Sequence, residues 1–455
     1  NWPKLEDTPD ILEELATVEM HAIQTSGNTI RNTTTDEFAG VARDEVADPR
    51  PWCEVIRQWS TFHPEFHFLP RKFKIAICAS ADDRAAIRVH DIGLQLVKNE
   101  DGSTGFDVYV GGGLGRTPMV GDLVRENLPA KHLLTYLEAI LRVYNQFGRR
   151  DNKYKARIKI MVKALGIEEI AKRVAAEWEH LIDGPSTLTE AAMTKAQSFF
   201  IDPDYEDSPS EGDFEQQRAD NKAFSRFVTN NTVAHKQDGY VAVTVSLKKT
   251  GVPPGDITDA QMDLVADLAE KYSYGELRIS HHQNIVLSDV KKADLFALWQ
   301  ILEENDLATP NIGKLTDMIC CPGGDFCNLA NARSIPVAEQ VQSRFDDLDY
   351  LYDLGEIEFN FSGCMNACGH HHVGNIGLLG VDRKGEEFYQ LSLGGRSGTD
   401  ANIGKILGPA LKLERVADAI ETVMKVYVDN RVEGETFVEA YHRIGQQKFK
   451  EAVYA

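Results

Sequence analysis

The chain repeats itself. IRNTTTDEFAGVAR from Ile30 is matched by ICCPGGDFCNLANAR from Ile319, HDIGLQLV from His90 by HVGNIGLLGV from His372, and YVGGGLGR from Tyr109 by SLGGRSG from Ser392. A fourth landmark, LPAKHLLTYLEAILRVYNQFG against LKLERVADAIETVMKVYVDNR, spaces its apolar residues as one helix face, so each repeat closes on a packing helix. Landmarks kept in one order at two places restrict the fold to two copies of one unit.

Between the copies, Ile201 to Phe224 is rich in acids, Pro, Ser and Gly and poor in apolar periodicity, which reads as a surface linker. After it, GYVAVTVSLKKTG alternates like a strand, QMDLVADLAEKYS reads as a helix, GELRISHHQNIVLSDV as one strand and KKADLFALWQILEEN as a second helix. Only that last helix has a counterpart at the start of the chain, in PDILEELATVEMHAIQT, which aligns Asn1 near Ile285. The first copy is therefore expected to lack its opening β-α-β, and the chain reads as a fragment whose exposed sheet edge needs another covering.

The chemistry is carried by four of the seven cysteines, Cys321 and Cys327 in CPGGDFC and Cys364 and Cys368 in GCMNACG. C-x5-C followed by C-x3-C, with glycines between, suits a soft metal centre, and an iron–sulfur cluster is the first reading. Zinc is the competing occupant, although structural zinc prefers tighter C-x2-4-C knuckles and the first arm fits that poorly. An odd cysteine count without a secretory signal speaks against a disulfide frame. Cys320 offers an alternative to Cys321, but the spacing and the Pro-Gly that follow favour Cys321.

A formal charge of −21 disfavours nucleic acid as the main partner, and no apolar run or basic-then-apolar start supports a membrane span or export, so the expected location is cytoplasmic. Against this acidic background two basic islands stand out, PRKFK at Pro70 to Lys74 and GRRDNKYKARIK at Gly148 to Lys159. Alone, each reads as a solvated face.

Together the motifs IRNTTTD, FLPRKFKIAI, Gly111-Gly112-Gly113, KARIK, CPGGDFC and GCMNACG resemble, in order, the siroheme-dependent nitrite and sulfite reductases, most closely the sulfite reductase haemoprotein. The resemblance implies an α+β fold: a pseudo-twofold repeat of a ferredoxin-like half plus a siroheme- and cluster-binding domain, the first ferredoxin-like half being largely absent here. It divides the chain into a remnant at 1–18, a first α+β domain at 19–183, an acidic linker at 184–236, a second ferredoxin-like half at 237–307 and a second α+β domain at 308–455. It implies that Cys321, Cys327, Cys364 and Cys368 hold a [4Fe–4S] cluster and that Cys368 also bridges to siroheme. It places Arg31, Lys72 and Lys74 around a small oxyanion, and Arg157 and Lys159, with Arg71 and Arg150 as weaker candidates, against the siroheme carboxylates. No siroheme role carries over to His281-His282-Gln283-Asn284.

The activity this implies is the six-electron reduction of sulfite to sulfide, with nitrite to ammonia as the close alternative. Because no flavin or nicotinamide domain is evident, electrons are expected from a separate flavoprotein or ferredoxin, and the net charge leans against an acidic ferredoxin. A non-catalytic siroheme-binding subunit and a zinc-stabilised interaction protein are the alternatives of another class. Among smaller features, His370-His371-His372 is read as extended, with local packing or hydrogen bonding rather than metal ligation. The Gly111-Gly112-Gly113 turn is read as a close backbone approach to the macrocycle, and Cys53 and Cys78 as buried hydrophobes.

Overall fold

The computed structural model describes residues 3–207 and 209–455, and its strands form three sheets. The first holds β1 (Ile30–Thr34), β2 (Phe73–Cys78), β3 (Ile92–Lys98), β4 (Thr104–Val110) and β5 (Asp122–Pro129), side by side in chain order. The second holds β6 (Thr232–Ala234), β7 (Tyr240–Val245), β8 (Leu277–Ile279) and β9 (Ile285–Lys291), in the order β6-β7-β9-β8. The third holds β10 (Ile319–Cys320), β11 (Phe359–Ser362), β12 (Ile376–Arg383), β13 (Glu386–Leu393) and β14 (Lys405–Ile406), again in chain order.

The first and third sheets are the two copies the sequence predicts. In each, the first three strands are parallel and the last three antiparallel. Ile75 sits opposite Ile92 and Ile92 opposite Val110, just as Phe359 sits opposite Ile376 and Ile376 opposite Leu393, so the second and third landmarks superimpose. The first landmark does not. A register shift in β1 between Ile30 and Thr33 brings Thr34 opposite Ala76, and this is the pairing that Ile319 makes with Asn360. Ile30 and Ile319 both open an edge strand, but they are not equivalent; short apolar starts carry too little information to reveal a bulge.

Each of these two sheets is covered by its predicted helix. Leu133–Phe147 sinks Leu133, Leu137, Ile140 and Tyr144 into the first core, and Val416–Val428 sinks Val416, Ile420, Val423 and Tyr427 into the other. The Tyr144 hydroxyl also donates to the Ala156 carbonyl at 2.8 Å, which ties the covering helix to the KARIK segment.

Three expectations need correction. The segment read as an acidic linker carries helices Glu190–Gln197, Phe214–Asp220 and Lys222–Asn231, and Phe214, Phe224 and Phe227 belong to the core under the second sheet. Frequent acids hid these widely spaced aromatics. GELRISHHQNIVLSDV is a hairpin rather than one strand: β8 and β9 are antiparallel, with Ile279 opposite Ile285, and Gln283 turns the chain at φ 62°. Helix Thr8–Thr17, the sequence counterpart of Leu295–Glu304, buries none of its residues, whereas Leu295–Glu304 buries Leu295, Leu298, Trp299 and Leu302. Similar sequence there does not give similar packing. Among the described residues no helix is long and apolar enough to cross a membrane.

Candidate functional site

The cysteine loops leave the ends of two adjacent parallel strands. β10 and β11 pair with Cys320 opposite Phe361, and the Cys321 N–H donates to the Phe361 carbonyl at 3.0 Å. Beyond that point one chain runs through Cys321 to Cys327 and the other through Cys364 to Cys368, stitched together by Asn331 N–H on the Gly363 carbonyl at 2.8 Å. The loops meet backbone to backbone. A Cβ on Gly363 would lie 2.7 Å from the Gly323 Cα, so this crossing admits only glycine. The Gly363 N–H donates to the Cys321 sulfur at 3.2 Å, the kind of bond that steadies a thiolate.

All the cysteines are free thiols. Among the described residues no three of their sulfurs lie within 4.8 Å of one another. A single tetrahedral zinc, with Zn–S of about 2.3 Å, holds its sulfurs about 3.8 Å apart. The thiols are not gathered as that ion would hold them, and four cysteines on two glycine-rich loops suit an iron–sulfur cluster.

The structure separates the cysteine doublet. Cys320 is buried in the core beneath the third sheet, its thiol pushed far up by burial and by Cys321, while Cys321 faces the opposite loop. A residue given no role by the sequence holds the doublet in place. The Gln283 side chain donates to the Cys320 carbonyl at 2.9 Å and accepts from the Cys320 N–H at 2.8 Å, so the β8–β9 turn grips both faces of the peptide beside Cys321. Gln283→Leu strands both backbone groups, and we expect a loss of about 1–3 kcal/mol in unfolding free energy. The cluster EPR signal should broaden with it; a denaturation midpoint and signal equal to wild type would refute the clamp.

The basic residues assemble around β2. Lys74 is the second residue of that strand and Lys72 immediately precedes it. Both are half-buried, and among the described residues neither has a carboxylate within ion-pairing distance. Burial, then Lys74, Arg157, Arg31 and Arg71, pushes the Lys72 ammonium down to about 8. Burial and Arg157 also lower Lys74, against the pull of Asp91 and Cys368. Cys368 is exposed; desolvation and the neighbouring Cys321 and Cys364 raise its thiol, and Lys74 and Lys72 draw it back down. The lysines and the cysteine loops thus lie within electrostatic reach of each other. Two half-buried ammonium groups that, among the described residues, form no ion pair suit a polyanionic group such as siroheme, or a bound oxyanion.

The other basic candidates gather nearby with their donors partly committed. Arg157 grips Asp91 with two bonds of 2.8 Å, and Asp91 also accepts from the Lys74 backbone N–H at 2.8 Å, so one buried carboxylate holds the Arg157 guanidinium and the main chain at Lys74. Lys159 is buried, donates to the Gly113 and Leu114 carbonyls at 3.2 and 2.6 Å, and is lowered to about 8 by burial and Arg157. Arg31 donates to the Thr25 and Gly27 carbonyls at 2.6 and 3.0 Å, and Arg150 to Phe68 and Asn145. Among the described residues the Arg71 side chain has no hydrogen-bond or ion-pair partner. Asp91 escaped the sequence reading, although its place directly before β3 was a signal for a residue at a strand mouth.

The glycine turn makes room for these side chains. A Cβ on Gly112 would strike the Arg88 and His90 carbonyls at 2.4 and 2.5 Å, and one on Gly113 would meet Arg157 and Lys159 at 3.0 and 3.2 Å. The histidine triple lies in a turn, with His370 at φ 55°, and is not extended as expected. A turn residue in the left-handed region reverses the chain and breaks strand alternation. His372 Nε2 bonds the Gly115 carbonyl at 2.9 Å, while His371 is buried with neither ring nitrogen bonded.

Related sequences and a related structure match over most of the chain. Residues 26–182 and 313–455 match the family described as nitrite and sulphite reductase 4Fe-4S domain, and residues 233–305 match the nitrite/sulfite reductase ferredoxin-like half domain. Sulfite reductase [ferredoxin] 1 of Mycolicibacterium paratuberculosis is 26% identical over 99% of this chain and 76% of its own length. The chloroplastic ferredoxin–nitrite reductase of Arabidopsis thaliana is 26% identical over 92% of this chain and 67% of its own. The solved structure of the Mycobacterium tuberculosis NirA protein superimposes with a TM-score of 0.77 at 26% identity, covering 98% of this chain and 77% of that one.

Proposed function

Because the chain belongs to the nitrite and sulphite reductase family, we propose that it is a sulfite reductase which carries siroheme and a [4Fe–4S] cluster and takes electrons from a ferredoxin. The observation that carries the site assignment is the pair of half-buried lysines, Lys72 and Lys74, which among the described residues form no ion pair and act electrostatically on Cys368. Cys321, Cys327, Cys364 and Cys368 would hold the cluster. Arg71, Arg157, Lys159 and Arg150 would face the siroheme carboxylates, Arg157 through the guanidinium nitrogen that Asp91 leaves free. When bound, these two groups supply the electron-transfer chemistry, six electrons for each sulfite converted to sulfide.

The protein's own part is positioning, charge and protons. Lys72 and Lys74 bind the oxyanion, joined by Arg31 if its guanidinium releases the loop carbonyls it now holds. Each oxygen of sulfite leaves as water and must be protonated. An ammonium held near 8 gives up its proton more readily than an ordinary lysine and still carries charge at neutral pH. Asp91 keeps Arg157 and the start of β2 fixed, so the pocket does not reorganise as charge changes.

The ferredoxin assignment rests on the naming of the relatives, several of which are ferredoxin-dependent. It goes against the lean from net charge: a local basic patch governs docking more than a whole-chain sum does. The Arabidopsis relative supports a second reading, nitrite to ammonia, because that anion needs the same cationic pocket and electron count. Steady-state kinetics with reduced ferredoxin decide between them. We expect a higher kcat/KM for sulfite, and a clear preference for nitrite reverses the assignment.

A further inference from the structure

The second copy of the repeat carries carboxylates at the positions where the first carries Lys72 and Lys74, and they line a cavity. Lys74 N–H donates to Asp91 beside β3, and Glu358 N–H donates to Asn375 beside β12 at 2.9 Å, in the same register of the two sheets. Glu358 is therefore the counterpart of Lys74, and Glu356 the counterpart of Lys72. Both glutamates line a cavity of about 370 Å³ together with Glu37, His281 and His282. Where one copy sets lysines at these positions, the other sets carboxylates, beside imidazoles and the cations Arg84, Lys314 and Arg396.

Three of these groups already converge. Glu37 Oε1 lies 3.5 Å from His282 Nδ1 and Glu37 Oε2 lies 4.0 Å from His281 Nδ1, and one ligand atom from each of the three residues lies within 4.8 Å of the other two. These separations are at or beyond the limit for good hydrogen bonds. They run to different carboxylate oxygens, and the 3.5 Å one is close to the roughly 3.4 Å edge of a tetrahedron whose ligands stand about 2.1 Å from an ion. Adjacent histidines can share one ion here because they sit in the β8–β9 turn rather than in a strand. Their rings lie side by side, with centroids 3.9 Å apart.

Both partners are pinned before any ion arrives. Arg278 donates to the Glu37 and Ala39 carbonyls at 3.0 and 2.7 Å, which fixes the loop after β1. The buried Lys248 ammonium donates to the His282 carbonyl, and Gln283 is held by Cys320. A preorganised two-histidine, one-carboxylate set on rigid supports is what a borderline divalent cation selects.

We propose that Glu37, His281 and His282 bind a divalent cation of the zinc type, with its open position facing this cavity. The site uses none of the cysteines or basic residues assigned above, so it stands or falls independently of the sulfite reading. The test is zinc titration by calorimetry of the holoprotein, first freed of loosely bound metal with EDTA, with iron content followed throughout. Wild type should take up one zinc with no loss of iron. Glu37→Gln and His282→Asn should each weaken that binding at least tenfold and leave the visible spectrum unchanged. His281→Asn serves as a third variant if either fails to fold, and Glu356→Gln should retain the zinc. Failure of wild type to bind, or equal binding by Glu37→Gln and His282→Asn, overturns the proposal. Uptake accompanied by iron loss also overturns it, since zinc would then have entered the cysteine loops.

Discussion

Lys74→Ala should lower kcat for sulfite by about 100-fold to 1000-fold, with the visible spectrum and the cluster EPR signal intact. The lysine is half-buried, among the described residues has no carboxylate within ion-pairing distance, and has its backbone N–H held by Asp91. Its charge is useful only to something that arrives in the pocket. Lys72→Ala should act in the same direction, and its titration adds a pH signature. As pH rises through about 8, Lys72 loses its proton and kcat/KM should fall; siroheme carboxylates would move this limb to higher pH in the loaded protein. The sign for stability is the reverse. A lysine lowered from 10.5 to about 8 on folding opposes the folded state while charged, so the protein gains stability as pH rises from about 8 to about 10.5. Lys72→Met should therefore unfold at higher denaturant while losing turnover. Undiminished turnover in Lys74→Ala and Lys72→Ala would remove both residues from the mechanism.

Cys368→Ser should abolish both cofactor signals at once, the siroheme absorption bands and the cluster EPR, whereas Cys327→Ser should abolish the cluster first. Cys368 is the exposed thiol of the set and the one that feels the cysteine loops on one side and both lysines on the other. A thiolate shared between cluster and siroheme, as the family resemblance implies, would serve both groups, and a hydroxyl ligates soft iron poorly. Anaerobic purification from siroheme-producing cells, followed by absorption and EPR before and after reduction, gives the answer. Retention of either signal at wild-type strength in Cys368→Ser would argue against the shared ligand.

The repeated sheets, their covering helices and the cysteine loops were legible because each rests on a periodicity or a spacing that survives divergence. The bulge in β1 was not, since it changes register without changing residue type. The helices between the copies were masked because a few large aromatics, Phe214 and Phe224 among them, supply their core contacts within an acidic segment. Of the site, residue types were readable and commitments were not. Nothing in KARIK says that Arg157 is bound to Asp91, or that Lys159 is spent on the carbonyls of the glycine turn. The role of Gln283 lay beyond reach for the same reason: a clamp on another segment's peptide leaves no local pattern.

The parallel pairing of β10 and β11 also sets a clock. Parallel neighbours need a long crossover, here the helices Ile335–Arg344 and Leu348–Leu354, so Cys327 leaves the ribosome well before Cys368 does. At ordinary synthesis rates the gap is on the order of seconds. Throughout that interval Cys321 and Cys327 exist without their partners, open to oxidants and to stray metal. Cofactor delivery therefore has to wait for translation to pass Cys368, and the yield of loaded protein should depend on how reducing the surroundings are while the nascent chain waits.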